Sequence, residues 1–128
     1  MSYYFSKTVS GEFAAVVEKT IEALKIEGFG VLTDIDVKST MKQKIGVDFR
    51  PYRILGACNP SLAHKALTAE DKIGTMLPCN VIVQDLGRGQ IEVAAINPQA
   101  AMDKVGNRQL TDVAAEVAGR LRAVVNAL

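Results

Sequence analysis

Two short apolar segments rich in β-branched residues, 80–86 and 90–96, are separated by only Gly87-Arg88-Gly89. Runs of this kind joined by a short glycine-containing loop predict a β-hairpin. A hairpin pairs its two strands antiparallel, and antiparallel sheets commonly leave one face open. The chain is therefore expected to form a sheet of antiparallel type.

Two longer segments, one near each end of the chain, show helical spacing of their apolar residues. The first is predicted to begin at the N-cap Ser10, with Glu12 in its first turn, and to end at Gly28. The second follows the predicted cap Asn107 and continues to residue 128. Apolar residues recur at i, i+3 and i+4 in both, which predicts two long amphipathic helices.

Further strands are predicted for residues 2–9, 29–37 and 49–58 from their alternating or apolar patterns. In the second of these, Val31, Thr33 and Ile35 are assigned to one face and Leu32 to the other, together with Asp34 and Asp36. Minor helical turns are expected in residues 39–45, 60–67 and 68–74, the last from a capping-box pattern.

The element order is therefore β-α-β-β-α-β-β-α, and it predicts a two-layer α+β fold with two long helices packed on an antiparallel-type sheet. Residues 1–128 fit one domain and can bury a core without disulfides or metals. Two helices cover only one sheet face, so the other face must be wet or meet a partner. We expect a homodimer.

Charge and hydropathy exclude several classes of protein. The chain has 15 basic and 14 acidic side chains, a balance that argues against a nucleic-acid partner. No apolar run is long enough to span a membrane, and MSYYFSKTVS has no signal-peptide core, so we expect no membrane partner and a cytoplasmic protein. Two cysteines in a reducing compartment remain thiols. No phosphate loop or histidine-rich zinc motif is present, and no cofactor is identified.

The candidate functional residues are concentrated between Arg50 and Asn80, where both cysteines and the only histidine occur. Each cysteine is followed by an asparagine, in Cys58-Asn59 and Cys79-Asn80. Cys58 precedes a predicted helix N-terminus, a position that lowers the pKa of a thiol. If the two strands concerned meet at one sheet edge, the thiols approach one another.

The same segment supports competing interpretations. Cys58 and Cys79, together with His64, form a candidate metal site, although 79 − 58 = 21 positions is not a diagnostic spacing. Two cysteines buried as small hydrophobic residues are the plainer alternative.

A basic segment that includes Arg50 and Arg53 is a candidate anion site, unless these side chains are solvated or pair with Asp34 and Asp36. Asp34 and Asp36 share a face and are also candidates for a carboxylate pair. The predicted ligand-binding residues are Cys58, Asn59, Cys79, Asn80, Arg50, Arg53 and Asp36.

Several motifs resemble a known family over almost the whole chain. They are Asp34-Ile35-Asp36-Val37, Lys44-Ile45-Gly46-Val47, Ile54-Leu55-Gly56-Ala57-Cys58-Asn59-Pro60 and Pro78-Cys79-Asn80. They resemble the family catalogued as domain of unknown function 302. The resemblance implies a small α+β domain similar to the TATA-binding-protein-like fold, commonly a dimer, and it implies no established activity.

The functional expectation is a homodimeric domain that binds a small ligand or a metal ion in a cysteine-containing cleft. One alternative is a thiol-dependent enzyme or redox sensor, which requires a reactive cysteine. Another is a structural or interaction module without a ligand. The residues leave open whether any reaction is catalysed.

Overall fold

The computed structural model describes residues 1–128 and contains one five-stranded sheet. Its strands are Tyr4–Ser10 (β1), Gly30–Asp36 (β2), Tyr52–Cys58 (β3), Cys79–Gly87 (β4) and Gln90–Ile96 (β5). They lie in the order β1-β5-β4-β3-β2, and every neighbouring pair is antiparallel. The predicted antiparallel sheet and its hairpin are confirmed.

Helices make up most of the rest of the fold. They are Phe13–Ile26 (α1), Val37–Ile45 (α2), Pro60–Ala69 (α3), Pro98–Met102 (α4) and Arg108–Asn126 (α5), with 3₁₀ turns at Asp71–Met76 and Asp103–Val105. The two long helices, α1 and α5, contact each other and the sheet, which confirms the two-layer α+β fold. No helix has the length and apolar content needed to cross a membrane.

The core lies between the sheet and these helices. Burial along β4 alternates, because successive side chains on a strand point to opposite faces. The largest fully buried side chains include Leu24, Leu55, Val81, Val83, Ile91, Val93, Leu121 and Val124. They come from α1, the three central strands and α5, so one core holds both layers together.

Some boundaries differ from those predicted. Ser10 still pairs with Gln90 in the sheet, so α1 is preceded by Glu12 rather than capped by Ser10. The expected capping box at Thr68 does not form, since the Thr68 hydroxyl donates to the His64 carbonyl inside α3. The sequence-based prediction also lacked α4, which Asn97 caps by accepting a hydrogen bond from the Gln99 amide.

A β-bulge at Leu32 changes the faces of β2. Val31 pairs with Ala57 but Thr33 pairs with Gly56, so one residue of β2 is left without a partner. The bulge places Asp34, not Thr33, on the same face as Val31. The predicted grouping of Val31 with Thr33 is therefore wrong, because an extra residue interrupts the two-residue period.

The sheet face away from the helices carries no helical layer, and we call it the open face. Its residues, assigned from the strand register, are Tyr4, Ser6, Thr8, Ser10, Thr33, Ile35, Tyr52, Ile54, Gly56, Asn80, Ile82, Gln84, Gln90, Glu92, Ala94 and Ile96. Ile35, Ile54, Ile82 and Ala94 are directly opposite one another across four strands and form an apolar row.

Candidate functional site

An apolar cleft of about 300 Å³ lies where β3 ends and β4 begins. Fourteen of its seventeen lining residues are hydrophobic, and none is charged. They are Phe29, Leu32, Ala57, Cys58, Asn59, Leu62, Ala63, Ala66, Leu67, Leu77, Pro78, Cys79, Pro98, Met102, Val113, Ala114 and Val117. A concave, mainly apolar site with a few polar groups is the usual form of a small-molecule site.

The cleft exists because small side chains line the space between α3 and α5. Ala63 and Ala66 on α3 and Ala114 on α5 all line it. Helix axes pack about 8–10 Å apart according to the side chains between them, and alanine fills little of that space. Leu32 and Leu67, which are 67% and 42% exposed, lie at the rim. The cleft is therefore open to solvent beside these two leucines.

The two cysteines line the same cleft. The condition set for neighbouring thiols, that their two strands meet at one edge of the sheet, is fulfilled. Cys79 is directly opposite Ala57 in the β3–β4 ladder, and Cys58 is the next residue of β3. Cys58 is half-buried, Cys79 is buried, and both are free thiols. Cys58 is also the last residue before the Asn59 cap of α3.

The environment of Cys79 keeps its thiol protonated. The side chain is only 8% exposed, and burial disfavours the thiolate. Burial, with a smaller electrostatic contribution from Cys58, raises the pKa of Cys79 to about 11. A thiol with such a pKa is a poor nucleophile at neutral pH, because only the thiolate attacks. Cys79 therefore contributes a small, neutral, polarisable surface to the cleft.

The predicted metal ligands are not brought together. His64 is exposed on α3 and does not line the cleft, because Leu62 and Ala66 occupy the inward side of that helix. No group of three or more His, Cys, Asp or Glu side chains in the protein is placed so that it could hold a metal ion. The expectation that His64 joins Cys58 and Cys79 in a metal site is therefore wrong. Only the two thiols line the cleft.

Asn59 lines the cleft mainly as a structural residue. Its side-chain oxygen accepts a hydrogen bond from the Leu62 amide at 3.2 Å and caps α3, as predicted. The cap begins the helix at Pro60, whose missing N–H costs nothing at this position. Asn59 therefore fixes the position of the α3 wall.

The other predicted ligand-binding residues lie outside the cleft. Asn80 is on the open face, opposite Gly56, because strand side chains alternate and its neighbour Cys79 faces inward. Asp36 caps α2 by accepting a hydrogen bond from the Ser39 amide at 2.9 Å. Arg50 stacks on Phe49, with 4.5 Å between the guanidinium carbon and the ring centroid. These placements correct the expectation that the three side chains share one site with the cysteines.

Arg53 is engaged by Asp34 rather than by an anion site. Its Nε donates to Asp34 Oδ1 at 2.7 Å, and its Nη2 donates to Asp34 Oδ2. This bidentate hydrogen bonding lowers the pKa of Asp34 and raises that of Arg53. Arg50 hydrogen bonds instead to Gln84 at 2.8 Å, so the two arginines have separate partners. The predicted alternative, pairing with an aspartate, holds for Arg53.

Several cleft residues were missed by reasoning from the sequence. Phe29 and Leu32 were assigned to a regular strand, and the α5 residues Val113, Ala114 and Val117 were assigned to a helix packed on the sheet. A possible signal was the spacing of Ala63 and Ala66 on the inward side of α3. The bulge that allows Leu32 to line the cleft has no such local signal.

Comparison with known proteins gives a family and a fold. The family model described as "Domain of unknown function DUF302" matches residues 5–128. The crystal structure of an uncharacterized conserved protein DUF302 from Bacillus stearothermophilus is similar, with 30% sequence identity and a TM-score of 0.90. The alignment covers 98% of this chain and 98% of that chain. No curated protein matches the sequence significantly.

Proposed function

The chain belongs to the DUF302 family, and we propose that it binds a small, uncharged, mainly apolar molecule in the cysteine-lined cleft and that it acts as a homodimer. The proposal includes a cytoplasmic location, where a reducing environment keeps both cysteines as thiols. The observation that carries it is an open cleft of about 300 Å³ without a charged lining residue.

The chemistry of the lining defines the ligand class. An ion placed in the cleft would lose water without gaining a charged partner, and this desolvation is costly. An apolar group would instead exchange water for contacts with side chains such as Leu62 and Val117. Asn59 and the two thiols supply the few polar atoms that can orient the ligand. An aromatic or branched aliphatic group suits this lining best.

A metal ion and a reactive thiol have weaker support. The two thiols lack a third ligand, since His64 does not line the cleft. Burial raises the pKa of Cys79, which disfavours both metal binding and nucleophilic attack by that residue at neutral pH. A ligand held by surface contacts does not require the thiolate.

The test uses the uncharged fluorescent probe N-phenyl-1-naphthylamine. We expect saturable binding to the wild-type protein with increased fluorescence. Ala63→Phe puts a large ring into the cleft and should weaken binding at least about tenfold. Ala115→Phe is the matched control, because Ala115 is exposed on α5 and does not line the cleft. Equal binding by both variants would contradict the proposed site.

Native mass spectrometry and elemental analysis of protein isolated without chelators test the ligand class directly. An apolar molecule that is present in the wild type and lost in Ala63→Phe supports the proposal. A bound metal that is lost in the Cys58→Ser, Cys79→Ser double variant would replace it. Binding of neither probe nor cellular molecule would favour a structural module.

A further inference from the structure

The open face has an unusual composition for a sheet face in contact with water. Glu92 is the only charged residue on its strands, although charged residues make up 23% of the chain. Arg50, which precedes β3, adds one positive charge at the border of the face, where it hydrogen bonds to Gln84. The Glu92 carboxylate accepts a hydrogen bond from Gln84 at 2.8 Å. Where one face of an antiparallel sheet is solvated, the residues along each strand usually alternate between apolar side chains that face the core and polar side chains that face water. The composition of the open face indicates that it is covered.

The centre of the open face is apolar and its borders carry tyrosines. Ile54 and Ile82 are half-buried within the isolated chain, whereas Ile35 at the β2 end of the row is 47% exposed. Tyr4 and Tyr52 line a depression on this face together with Ile82. Protein–protein interfaces have an apolar core and are enriched in aromatic residues, and the open face has both features.

From these features we infer that the open face is the homodimer interface, with the open faces of two copies packed against each other around a two-fold axis. This inference rests on the homodimer included in the proposed function and assigns its surface. In such an isologous contact each surface meets its own copy. A nearly neutral face is complementary to itself, whereas a strongly charged face would repel its copy.

Nucleic acid does not fit this surface. The strand residues of the open face include no lysine or arginine, and Arg50 is the one basic side chain that hydrogen bonds to it, through Gln84. A single arginine is far from the several cations that neutralise phosphates in a nucleic-acid interface. A strongly acidic or basic protein partner would find only Arg50 or Glu92 there as a complementary charge. A second copy of the same neutral surface requires no such charge.

The size of the open face suits a dimer. Five strands at the usual spacing span about 20 Å, and a seven-residue strand is about 23 Å long. With its side chains, a surface of this footprint is of the same order as the roughly 800 Å² per partner in a stable interface. Two such faces would pack about 10 Å apart with their strands about 30° from parallel.

The test is analytical ultracentrifugation of wild type and Ile82→Glu. Ile82 lies on β4, the middle strand of the sheet, so the variant would place two like charges near the two-fold axis. We expect the wild type to be a dimer, and we expect the dimer dissociation constant of the variant to be at least about a hundredfold higher. Leu67→Glu, at the rim of the cleft, is the matched control and should remain dimeric.

The possible results separate this surface from the homodimer itself. A wild type that is monomeric up to about 200 µM would overturn both the interface and the homodimer. If Ile82→Glu and Ala94→Glu both remain dimeric, the protein is a homodimer but the open face is not its interface. The same conclusion would follow if Leu67→Glu were the only variant to dissociate. Far-UV circular dichroism establishes that each variant is folded.

Hydroxyl-radical footprinting of the wild type decides the question without any substitution. If the open face is the interface, Tyr52 becomes protected as the protein is concentrated through its dimer dissociation constant. Leu67 should keep its reactivity. The reverse pattern would assign the dimer to the surface around the cleft.

Discussion

At the scale of single residues, burial explains why the two cysteines differ. Both line one cleft, yet Cys79 is buried on the core side of β4 and Cys58 is half-buried at the end of β3. The sequence presented them in nearly identical Cys-Asn contexts. Their different roles follow from strand alternation and from the turn into α3, neither of which a short motif encodes.

Cys79 makes stability depend on pH in the alkaline range. Its folded pKa of about 11 is above the value of 9.0 for an unperturbed thiol. Below about pH 9 both states keep the proton, and between pH 9 and 11 only the unfolded state loses it. The free energy of unfolding should therefore fall over this interval by up to about 2–3 kcal/mol.

The measurement is urea denaturation of wild type and Cys79→Ala at several pH values. The two proteins share every other ionisable group, so the difference between their free energies of unfolding isolates the thiol. We expect Cys79→Ala to be less stable than the wild type at pH 8, because the substitution leaves a cavity. The difference between the two free energies of unfolding should become smaller towards pH 11. A gap that stays constant over this range would show that the thiol has an ordinary pKa.

At the scale of elements, the cleft depends on how β2, β3 and α3 end and begin. Asn59 caps α3 immediately after β3, so the helix wall starts directly at the sheet. The bulge in β2 changes the register beside Gly56 and brings Thr33 against it. The cap was predictable from Asn59-Pro60, whereas the bulge depends on the partner strand.

Gly56 is required by this close approach. A Cβ at this position would lie 2.7 Å from Pro78 Cγ and closer still to Thr33 Oγ1. We expect Gly56→Ala to lower the free energy of unfolding by about 1–3 kcal/mol, as for other overpacked sites. Urea denaturation gives the value.

Gly30→Ala is the matched control, since a Cβ there would meet no atom within 4 Å. Its effect should stay within about 0.5 kcal/mol. Adding Thr33→Ala to Gly56→Ala removes the nearer clash and should recover part of the lost stability. If the two glycine variants were equally stable, the close packing at Gly56 would be disproved.

At the scale of the whole molecule, the helices cover one face of the sheet and leave the other with almost no charge. The number of long helices and the hairpin predicted a half-covered sheet, and the structure confirms it. In the proposed dimer, the open face of each copy would be covered by the open face of the other. Folding and association would then be coupled, because burial of the open face is available only to the pair.

This coupling predicts a melting temperature that depends on protein concentration. Binding between folded chains stabilises them by mass action, so raising the concentration from about 2 to 200 µM should raise the wild-type Tm by about 3–8 °C. Ile82→Glu should show no such rise. Differential scanning calorimetry provides the measurement, and a concentration-independent wild-type Tm would count against an obligate dimer.

The α+β class and most elements could be predicted from the sequence, because they depend on local patterns: apolar periodicity, the Asn59 and Asn107 caps, and the glycine hairpin. The family followed from the resemblance of short motifs. The sequence also singled out Cys58 and Cys79 as candidates for one site but left open whether they are neighbours or separate core residues. The sequence did not predict that His64, Asn80 and Arg50 lie outside the cleft, or that alanines on two helices leave an apolar space. Those features depend on strand register and on the side chains of distant elements, which no local pattern specifies.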